Sequence, residues 1–340
     1  MKPIDEKHLE DLLSQPPDYL VEKAHQFAGD TILLGAGGKM GPSLARMLVR
    51  ARDSANESFS VTAVSRFGNA AVRESFERAG IRTIAGDLLS EGFVASLPDA
   101  LNVIHMTGMK FGTGSNAPAT WAMNTFLPSL VCRRYRGSRI AAFSTGNVYP
   151  LVNVAGPWSH ERDGPDPVGE YGMSALGRER IFQYFCERDS IPTSLIRLNY
   201  AVEMRYGVLV DIACRVFNKQ EIDLSMGYAN VIWQGDANAM AIASLADADT
   251  PANLVNVAGP ELVVVADVAN RFGELFGMEP ILVGQPAATA LLNDGSLGHK
   301  IYGKPRIPLE QLIDWTADWI RENKPLLGKP THFEVRSGKF

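Results

Sequence analysis

The stretch TILLGAGGKMG, residues 31–41, decides the fold class of this 340-residue chain. Its first four residues predict a buried strand that runs directly into the glycines. Leu44, Met47 and Leu48 follow at helical spacing. A strand, a glycine-rich turn and a helix in this order form the context in which backbone amides and a helix dipole bind a phosphate group.

The glycines of this turn have the spacing Gly-x-x-Gly-x-x-Gly. We expect Gly35 to permit the tight turn, Gly38 to let the backbone approach a pyrophosphate, and Gly41 to let the helix pack closely on the strand. The turn therefore predicts a dinucleotide site. The residues expected to cradle the ligand are Gly35, Gly37, Gly38, Lys39, Met40 and Gly41.

Short apolar runs alternate with helix-length amphipathic segments from residue 31 to about residue 197. The predicted strands are residues 31–34, 60–64, 82–84, 103–106, 140–143 and 193–197. This alternation is typical of a parallel sheet with helices on both faces. We predict an α/β fold, a Rossmann-type doubly wound parallel sheet with a smaller, mostly C-terminal substrate domain.

The same pattern divides the chain into three regions. Residues 1–27 predict a helical arm, which favours an oligomer contact or a cap over the sheet edge rather than a ligand role. Residues 28–199 predict the dinucleotide-binding domain of the Rossmann type. Residues 200–340 predict mainly the substrate-binding domain, interleaved with the sheet and ending in a polar C-terminal tail.

Three further motifs follow the glycine turn. They are, in order, Ser144-Thr145-Gly146-Asn147-Val148-Tyr149, Tyr171-Gly172-Met173-Ser174-Ala175 and Arg197-Leu198-Asn199-Tyr200. Over about residues 31–322 the chain resembles the extended short-chain dehydrogenase/reductases of the NAD(P)-dependent epimerase/dehydratase family. This resemblance implies an NAD(P)-dependent oxidoreductase or epimerase that acts by hydride transfer on a sugar-like alcohol or ketone. It also implies a homodimer.

The resemblance implies that Tyr171 is the catalytic acid/base and that Thr145 hydrogen-bonds the substrate oxygen. The family's Tyr-x-x-x-Lys pair, however, is Tyr171-x-x-x-Ala175 in this chain. A cation beside a phenol favours the phenolate, so the loss of the lysine predicts impaired catalysis. Three explanations stay open: removal of the lysine by design, a naturally impaired binding protein, or chemistry carried by another base. Lys39 and Lys110 are the substitutes to consider.

The residues after the second and third strands bear on the choice of cofactor. At the end of the second strand, a carboxylate binds the ribose 2′-hydroxyl of NAD(H), whereas a basic residue accommodates the 2′-phosphate of NADP(H). This chain has Ser65 and Arg66 at that place and no acidic residue. This pair favours NADP(H), with NAD(H) as the alternative. Asp87 matches the family aspartate that faces the adenine ring, and Leu88 beside it is a further cofactor candidate. A turn aspartate that caps the next helix is an equal alternative for Asp87. Thr107 is expected to line the cofactor through its backbone.

Two departures from the family pattern bear on the substrate. Gly146 and Asn147 stand where the sugar-nucleotide dehydratases of the family carry Asp-Glu, which disfavours dehydration. Ala229 takes the place of an arginine that grips the nucleotide diphosphate in many of the epimerases. A non-nucleotide sugar or other polyol is therefore as plausible as a nucleotide sugar. The substrate candidates are Thr145, Asn147, Asn199, Arg205 and Trp233, and for Trp233 a place in the core is favoured.

Composition excludes other classes of protein. A net charge of −5 and a pI of about 5.8 do not suit a protein that binds nucleic acid or an anionic membrane. The sequence shows neither a signal-peptide pattern nor an apolar stretch of about 20 residues, which predicts a cytoplasmic protein. The cysteines lie far apart, and we assign no metal. The alternative to an enzyme is a non-catalytic NAD(P)-binding sensor or scaffold protein.

Overall fold

The computed structural model describes residues 2–110 and 116–339 of the chain. Its strands are, in chain order, β1 (Thr31–Leu34), β2 (Val61–Ser65), β3 (Arg82–Ala85), β4 (Asn102–His105), β5 (Arg139–Thr145), β6 (Val152–Asn153), β7 (Thr193–Leu198), β8 (Ala201–Val202), β9 (Glu221–Asp223), β10 (Tyr228–Ala229), β11 (Ile232–Trp233), β12 (Asn253–Val257), β13 (Val263–Val264), β14 (Ile281–Val283) and β15 (Thr289–Ala290).

One seven-stranded sheet forms the centre of the fold, in the order β3-β2-β1-β4-β5-β7-β12, with every neighbouring pair parallel. The predicted doubly wound α/β fold is therefore confirmed. All six predicted strands are present, with bounds that differ by two residues at most. The strand order reverses between β1 and β4, and ligands of open parallel sheets bind outside the carboxyl ends of the strands at such a point.

Helices and short helical turns connect the strands. The helices are α1 (Glu6–Leu13), α2 (Asp18–Lys23), α3 (Gly41–Ser54), α4 (Ala70–Arg78), α5 (Glu91–Ser96), α6 (Ala117–Trp121), α7 (Leu127–Arg134), α8 (Gly169–Asp189), α9 (Val208–Phe217), α10 (Gln234–Ala243), α11 (Val265–Phe276), α12 (Ser296–Tyr302) and α13 (Leu309–Arg321). The segment Ala122–Phe126 is π-helical and joins α6 to α7. Within the described ranges, no helix has the length and apolarity needed to cross a membrane.

Apolar side chains cover both faces of the central sheet. Leu33 and Ile104 point to the face covered by α3 and α10, where Leu48 is buried. Ile32 and Leu34, the neighbours of Leu33 along β1, belong to the core on the opposite face. Helix α10 and strand β12 come from the region after residue 199, so the C-terminal region completes the half of the molecule that is built around the central sheet.

A buried polar network ties α8 to three strands of the sheet. Arg197 of β7 donates two hydrogen bonds to the carboxylate of Glu179, at 2.9 and 2.7 Å. The same carboxylate accepts from Ser144 Oγ at 2.6 Å. Arg197 also donates to the Tyr149 hydroxyl, which donates to Asn256 Oδ1 of β12. Because all five side chains are buried, this network fixes α8 relative to the carboxyl end of β5.

The N-terminal arm is fastened to both halves of the molecule. Leu9 and Leu13 of α1 are buried in the core formed by α9, α11 and α13. Leu20 and Phe27, further along the arm, are buried in the core that contains α3. The arm therefore spans the boundary between the sheet and the smaller C-terminal region.

Candidate active site

The turn after β1 brings the backbone to the crevice between β1 and β4. Gly35 has a φ of +88°, and a Cβ atom there would lie 2.6 Å from Cγ2 of Thr107. A Cβ atom on Gly41 would lie 1.9 Å from the carbonyl oxygen of Ala36. Glycine at these two positions lets the turn close and lets α3 begin against it.

Gly38 has different surroundings, although it belongs to the same turn. Among the described residues, a Cβ atom at Gly38 would meet only the carbonyl oxygen of Gly35, at 3.7 Å. Gly38 is also exposed. Because the protein itself leaves this room open, the backbone at Gly38 and the positive end of the α3 dipole can receive an anionic ligand.

A cleft of about 1390 Å³ runs from this turn to the carboxyl end of β5 and the first turn of α8. The sequence-predicted site residues that line it are Gly37, Gly38, Lys39, Met40, Thr145, Asn147, Tyr171, Asn199 and Arg205. The structure therefore brings the predicted cofactor turn and the predicted catalytic pair into one continuous space.

Thr145 is the last residue of β5, and its hydroxyl oxygen accepts two hydrogen bonds from Asn147. The backbone nitrogen of Asn147 donates at 3.2 Å and its Nδ2 atom at 3.1 Å. A hydroxyl that accepts in this way still has its own hydrogen to donate. Thr145 is therefore oriented as a donor toward a ligand in the cleft.

Tyr171 lies in the first turn of α8, partly buried, and lines the cleft. One turn further on, Ala175 is fully buried and packs with Val148, Tyr149 and Leu176. The position that would carry the family's lysine is therefore occupied by an alanine in an apolar cluster.

Lys110, which follows β4, is placed against Tyr171. Its Nζ atom lies 6.0 Å from the centre of the Tyr171 ring and donates to the carbonyl oxygen of Thr331 at 3.3 Å. Burial lowers the pKa of Lys110 to about 8, although the carboxylates of Asp211 and Glu334 oppose this shift. The sequence names Lys110 as a substitute cation but cannot place it, whereas the structure does.

Lys39 is a second lysine with a lowered pKa in the same cleft. Its Nζ atom donates to the carbonyl oxygen of Ala201 at 2.8 Å and lies 4.1 Å from the centre of the Tyr206 ring. Burial lowers the pKa of Lys39 to about 8, against the opposing charge of Glu203. Lowered pKa values of this kind cluster at functional sites.

Arg178, on the next turn of α8, is a fixed charge behind the cleft. Its Nη1 atom donates to the carbonyl oxygen of Phe143 at 2.8 Å, and Nη2 donates to Asn124 Oδ1 at 2.5 Å. Asn124, in the π-helical segment, also donates to Ser174 Oγ at 2.9 Å. The guanidinium is thereby held by β5 and the π-helical segment.

The residues predicted to choose the cofactor occupy different places. Ser65, at the end of β2, reaches the glycine turn, since a Cβ atom on Gly37 would lie 2.4 Å from its Oγ atom. Arg66 follows it and is exposed. Thr107 is buried beneath Gly35, and its hydroxyl pairs with the ring of His105 at 2.7 Å.

Asp87 holds the turn after β3. Its carboxylate accepts from the backbone nitrogen of Leu89 at 3.0 Å, while Ser90 is the residue that caps α5. Leu88 is buried in the core. Among the described residues, Asp87 and Leu88 lie outside the lining of the cleft.

Four of the five predicted substrate residues line the cleft, and Trp233 lies in the core. Asn199 is buried and donates to Asn230 Oδ1 at 2.8 Å. Arg205 donates to the carboxylate of Glu203 at 3.1 Å, and it reaches the N-terminal arm as well. Trp233 packs edge-to-face with Trp315 in the C-terminal core, with 5.8 Å between the ring centres. It therefore has the core position that the sequence favoured for it.

Two parts of the cleft lining escaped the sequence analysis. In the arm, the carboxylate of Glu10 forms ion pairs with two arginines, Arg46 of α3 at 2.7 Å and Arg205 at 2.6 Å. All three residues line the cleft. In the tail, Thr331 donates to the carboxylate of Asp211 and lines the cleft from the other side. Acidic residues four apart in α1 were the available signal for the arm, whereas the irregular tail offered none.

No family model matches the chain, and no curated protein sequence matches it either. Solved structures do match. UDP-glucose 4-epimerase from Thermotoga maritima, in complex with UDP-glucose, is 14% identical with a TM-score of 0.72, covering 86% of this chain and 99% of that one. MoeE5, in complex with UDP-glucose and NAD, is 19% identical with a TM-score of 0.70 and the same coverage.

A third structure is that of DesIV, a dTDP-glucose 4,6-dehydratase from Streptomyces venezuelae with NAD bound. It is 16% identical with a TM-score of 0.72, covering 86% of this chain and 97% of that one. The chain shares the fold of these three solved structures. The fold implied by the motif resemblance is thereby confirmed.

Proposed function

We propose that this chain is an NAD(P)-dependent oxidoreductase or epimerase of the extended short-chain type, acting by hydride transfer on a sugar-like alcohol or ketone. The observation that carries this proposal is the single cleft that joins the glycine turn to Thr145 and Tyr171. A solved structure of the same fold in complex with UDP-glucose and NAD adds support, both for a cofactor at the glycine turn and for a sugar substrate beside Thr145 and Tyr171.

The residues of the glycine turn fit a dinucleotide. No atom of the described residues fills the space beside Gly38, so a pyrophosphate can approach the backbone closely there. The ammonium of Lys39 and the positive end of the α3 dipole favour the same anion. A nicotinamide cofactor, when bound, accepts or supplies the hydride that this chemistry requires.

Thr145 and Tyr171 supply the proton chemistry of the proposed reaction. Thr145 donates its hydroxyl hydrogen to the substrate oxygen, since Asn147 already occupies its acceptor side. Tyr171 takes the proton from the substrate hydroxyl as an alcohol becomes a ketone and returns it in the reverse direction. The buried pair Glu179–Arg197 keeps α8, and with it Tyr171, in place beside Thr145.

For the cofactor we propose NADP(H), with NAD(H) as the alternative. Ser65, at the end of β2, provides no carboxylate to bind the 2′-hydroxyl of a ribose. The exposed Arg66 beside it suits a 2′-phosphate. Solved structures of the same fold are complexes with NAD. Titration with both cofactors therefore belongs in the same experiment.

For the substrate, a non-nucleotide sugar or polyol and a nucleotide sugar are both proposed. Ala229 is fully buried in the core and has no positive charge with which to bind a nucleotide diphosphate. Its presence supports a substrate without a nucleotide. Solved structures of the same fold hold UDP-glucose and UDP-glucuronic acid, which supports the second class. We also propose a cytoplasmic homodimer, and a sedimentation mass of one chain would contradict the dimer.

The test is turnover on a panel of UDP-glucose, UDP-glucuronic acid, dTDP-glucose, free sugars and polyols with each cofactor. Tyr171→Phe is expected to reduce turnover by about 10² or more, because it removes the acid/base while cofactor binding persists. Tyr184→Phe, an exposed tyrosine on the same helix, is the matched control and should keep wild-type turnover. Equal turnover by Tyr171→Phe and wild type would contradict the assignment.

A second candidate function is a non-catalytic NAD(P)-binding sensor or scaffold protein. The buried alanine at position 175 supports it, because impaired catalysis follows if no other charge replaces the lysine. Saturable cofactor binding without turnover of any member of the panel would favour this candidate.

A further inference from the structure

Asn230 lies behind the cleft, fully buried, between β10 and β11. The Nδ2 atom of its carboxamide donates to the carbonyl oxygens of Gly259 and Asn293, each at 2.8 Å. The Oδ1 atom accepts from the backbone nitrogen of Asn293 at 3.3 Å and from Nδ2 of Asn199 at 2.8 Å. Two donated and two accepted hydrogen bonds are all that a carboxamide can make, so this side chain is fully occupied.

The partners of Asn230 fix the direction in which its carboxamide faces. A backbone carbonyl only accepts and a backbone N–H group only donates. Exchanging Oδ1 and Nδ2 would therefore set acceptor against acceptor at Gly259 and at Asn293. Oδ1 of Asn230 must face Asn199, and Asn199 must in turn direct its own Nδ2 atom at that oxygen. Neither carboxamide can turn over without leaving buried polar groups unpaired, which is costly.

This orientation decides which atom Asn199 presents to the cleft. Asn199 directly follows β7, is buried and lines the cleft. Because its Nδ2 atom faces Asn230, its Oδ1 atom is turned the other way. Among the described residues, none donates a hydrogen bond to this oxygen and none closes it off from the cleft. A carbonyl oxygen accepts the hydrogen of a hydroxyl group, whereas a phosphate oxygen without a hydrogen cannot bind it.

A purely structural role does not account for the bond between the two asparagines. The backbone of Asn199 is already held by its own N–H group, which donates to the carbonyl oxygen of Val257 at 3.0 Å. With its other three bonds, Asn230 fastens the backbone at Gly259 and Asn293. The bond to Nδ2 of Asn199 fastens only a side chain in the wall of the cleft. It therefore sets the orientation of a group that a ligand can contact.

We propose that Asn230 is a positioning residue for substrate specificity, which holds the carboxamide of Asn199 so that its Oδ1 atom accepts a hydrogen bond from a substrate hydroxyl. This inference rests on the proposed function, because it concerns the substrate of the same cleft. Thr145 supplies a donor to that cleft and Asn199 an acceptor. This combination suits a substrate with several hydroxyl groups, each of which both donates and accepts.

The test uses ligands in which fluorine replaces one hydroxyl group, because fluorine cannot donate a hydrogen bond. The probes are D-glucose and UDP-glucose, each compared with its monodeoxyfluoro analogues by calorimetric titration without cofactor. We expect one position at which fluorine weakens binding to the wild type about tenfold or more. In Asn230→Ala the Asn199 amide is free to turn, and the loss at that position should shrink to about twofold. The two probe series separate a free sugar from a nucleotide sugar.

Asn230→Asp separates positioning from a structural role. It keeps an oxygen facing Nδ2 of Asn199 but loses the donor to Gly259 and Asn293. The fluorine effect should therefore persist in Asn230→Asp, although this variant should melt at a lower temperature than the wild type. Asn218→Ala, at an exposed asparagine after α9, is the control and should keep the wild-type fluorine effect.

The proposal is overturned if the wild type binds none of the probes, or binds every fluorinated probe as tightly as its parent. It is also overturned if Asn230→Ala keeps the full fluorine effect or Asn230→Asp loses it. Should the Asn230 variants not fold, Asn199→Leu takes their place, and a fluorine effect that persists there contradicts the proposal. Because the titrations need no turnover, a fluorine effect in a protein without activity would leave this inference standing while the proposed function fails.

Discussion

Gly38 and Gly41 lie three residues apart in the turn after β1, yet a methyl group has different consequences at each. Gly38→Ala should fold normally, because a Cβ atom there has ordinary contacts only. It should weaken dinucleotide binding about tenfold or more, because the methyl group occupies the space proposed for the pyrophosphate. Thermal denaturation and a cofactor titration of the same sample measure both effects.

Gly41→Ala is the matched control for this prediction. Its Cβ atom would lie 1.9 Å from the carbonyl oxygen of Ala36, so α3 must move away from the turn. We expect a loss of about 1–3 kcal/mol in the free energy of unfolding. Gly38→Ala binding the dinucleotide as tightly as wild type would show that the ligand does not approach this backbone.

Ala175 is a residue at which restoring the family's amino acid is expected to fail. Ala175→Lys places a long charged side chain in the apolar cluster of Val148, Tyr149 and Leu176. We expect the free energy of unfolding to fall by about 1–3 kcal/mol and turnover not to rise. Met173→Lys, at an exposed position on the same helix, is the control. Higher turnover with unchanged stability in a denaturant titration would contradict this prediction.

At the scale of elements, α8 depends on its buried ion pair with β7. Glu179→Gln leaves Arg197 as a buried charge with no carboxylate opposite it. We expect the free energy of unfolding to fall by about 3–5 kcal/mol. Urea denaturation measures this, with Glu187→Gln at an exposed position of α8 as the control, expected within about 0.5 kcal/mol of wild type. Equal stability of the two variants would contradict a structural role for the pair.

The central sheet could be predicted because its strands are short apolar runs bounded by turn residues, as at residues 31–34. Strands of two residues, such as β8 and β11, depend on tertiary pairing and leave too short a pattern to find. Among site residues, Thr145 ends a strand and Tyr171 lies in the first turn of a helix, each within a recognisable motif. Lys110 could not be placed, because its position beside the Tyr171 ring is a tertiary contact that leaves no local sequence pattern.

At the scale of the whole molecule, Lys39 links stability to pH. Its pKa of about 8 in the folded protein lies below the ordinary value of 10.5, so the unfolded chain binds more protons between these values. The free-energy cost of burying the charged ammonium of Lys39 is therefore fully present below pH 8, and it disappears as the pH rises toward 10.5. Lys39→Met should be more stable than wild type at pH 7, by about 1–3 kcal/mol.

Urea denaturation at pH 7 and pH 10 measures this difference, which should shrink at the higher pH. Lys39→Arg, which keeps its charge across this range, serves as the control. A Lys39→Met protein less stable than wild type at pH 7 would mean that the contacts with Ala201 and Tyr206 outweigh the cost of burying the ammonium.

The central claim is that the cleft between the glycine turn and Tyr171 holds a nicotinamide dinucleotide. Calorimetric titration of the purified chain with NADPH and, separately, NADH at pH 7 tests it most directly, after any co-purified cofactor has been removed. The account predicts saturable binding of one dinucleotide per chain, tighter for NADPH than for NADH. Binding of neither cofactor would contradict the enzyme and the sensor proposals together.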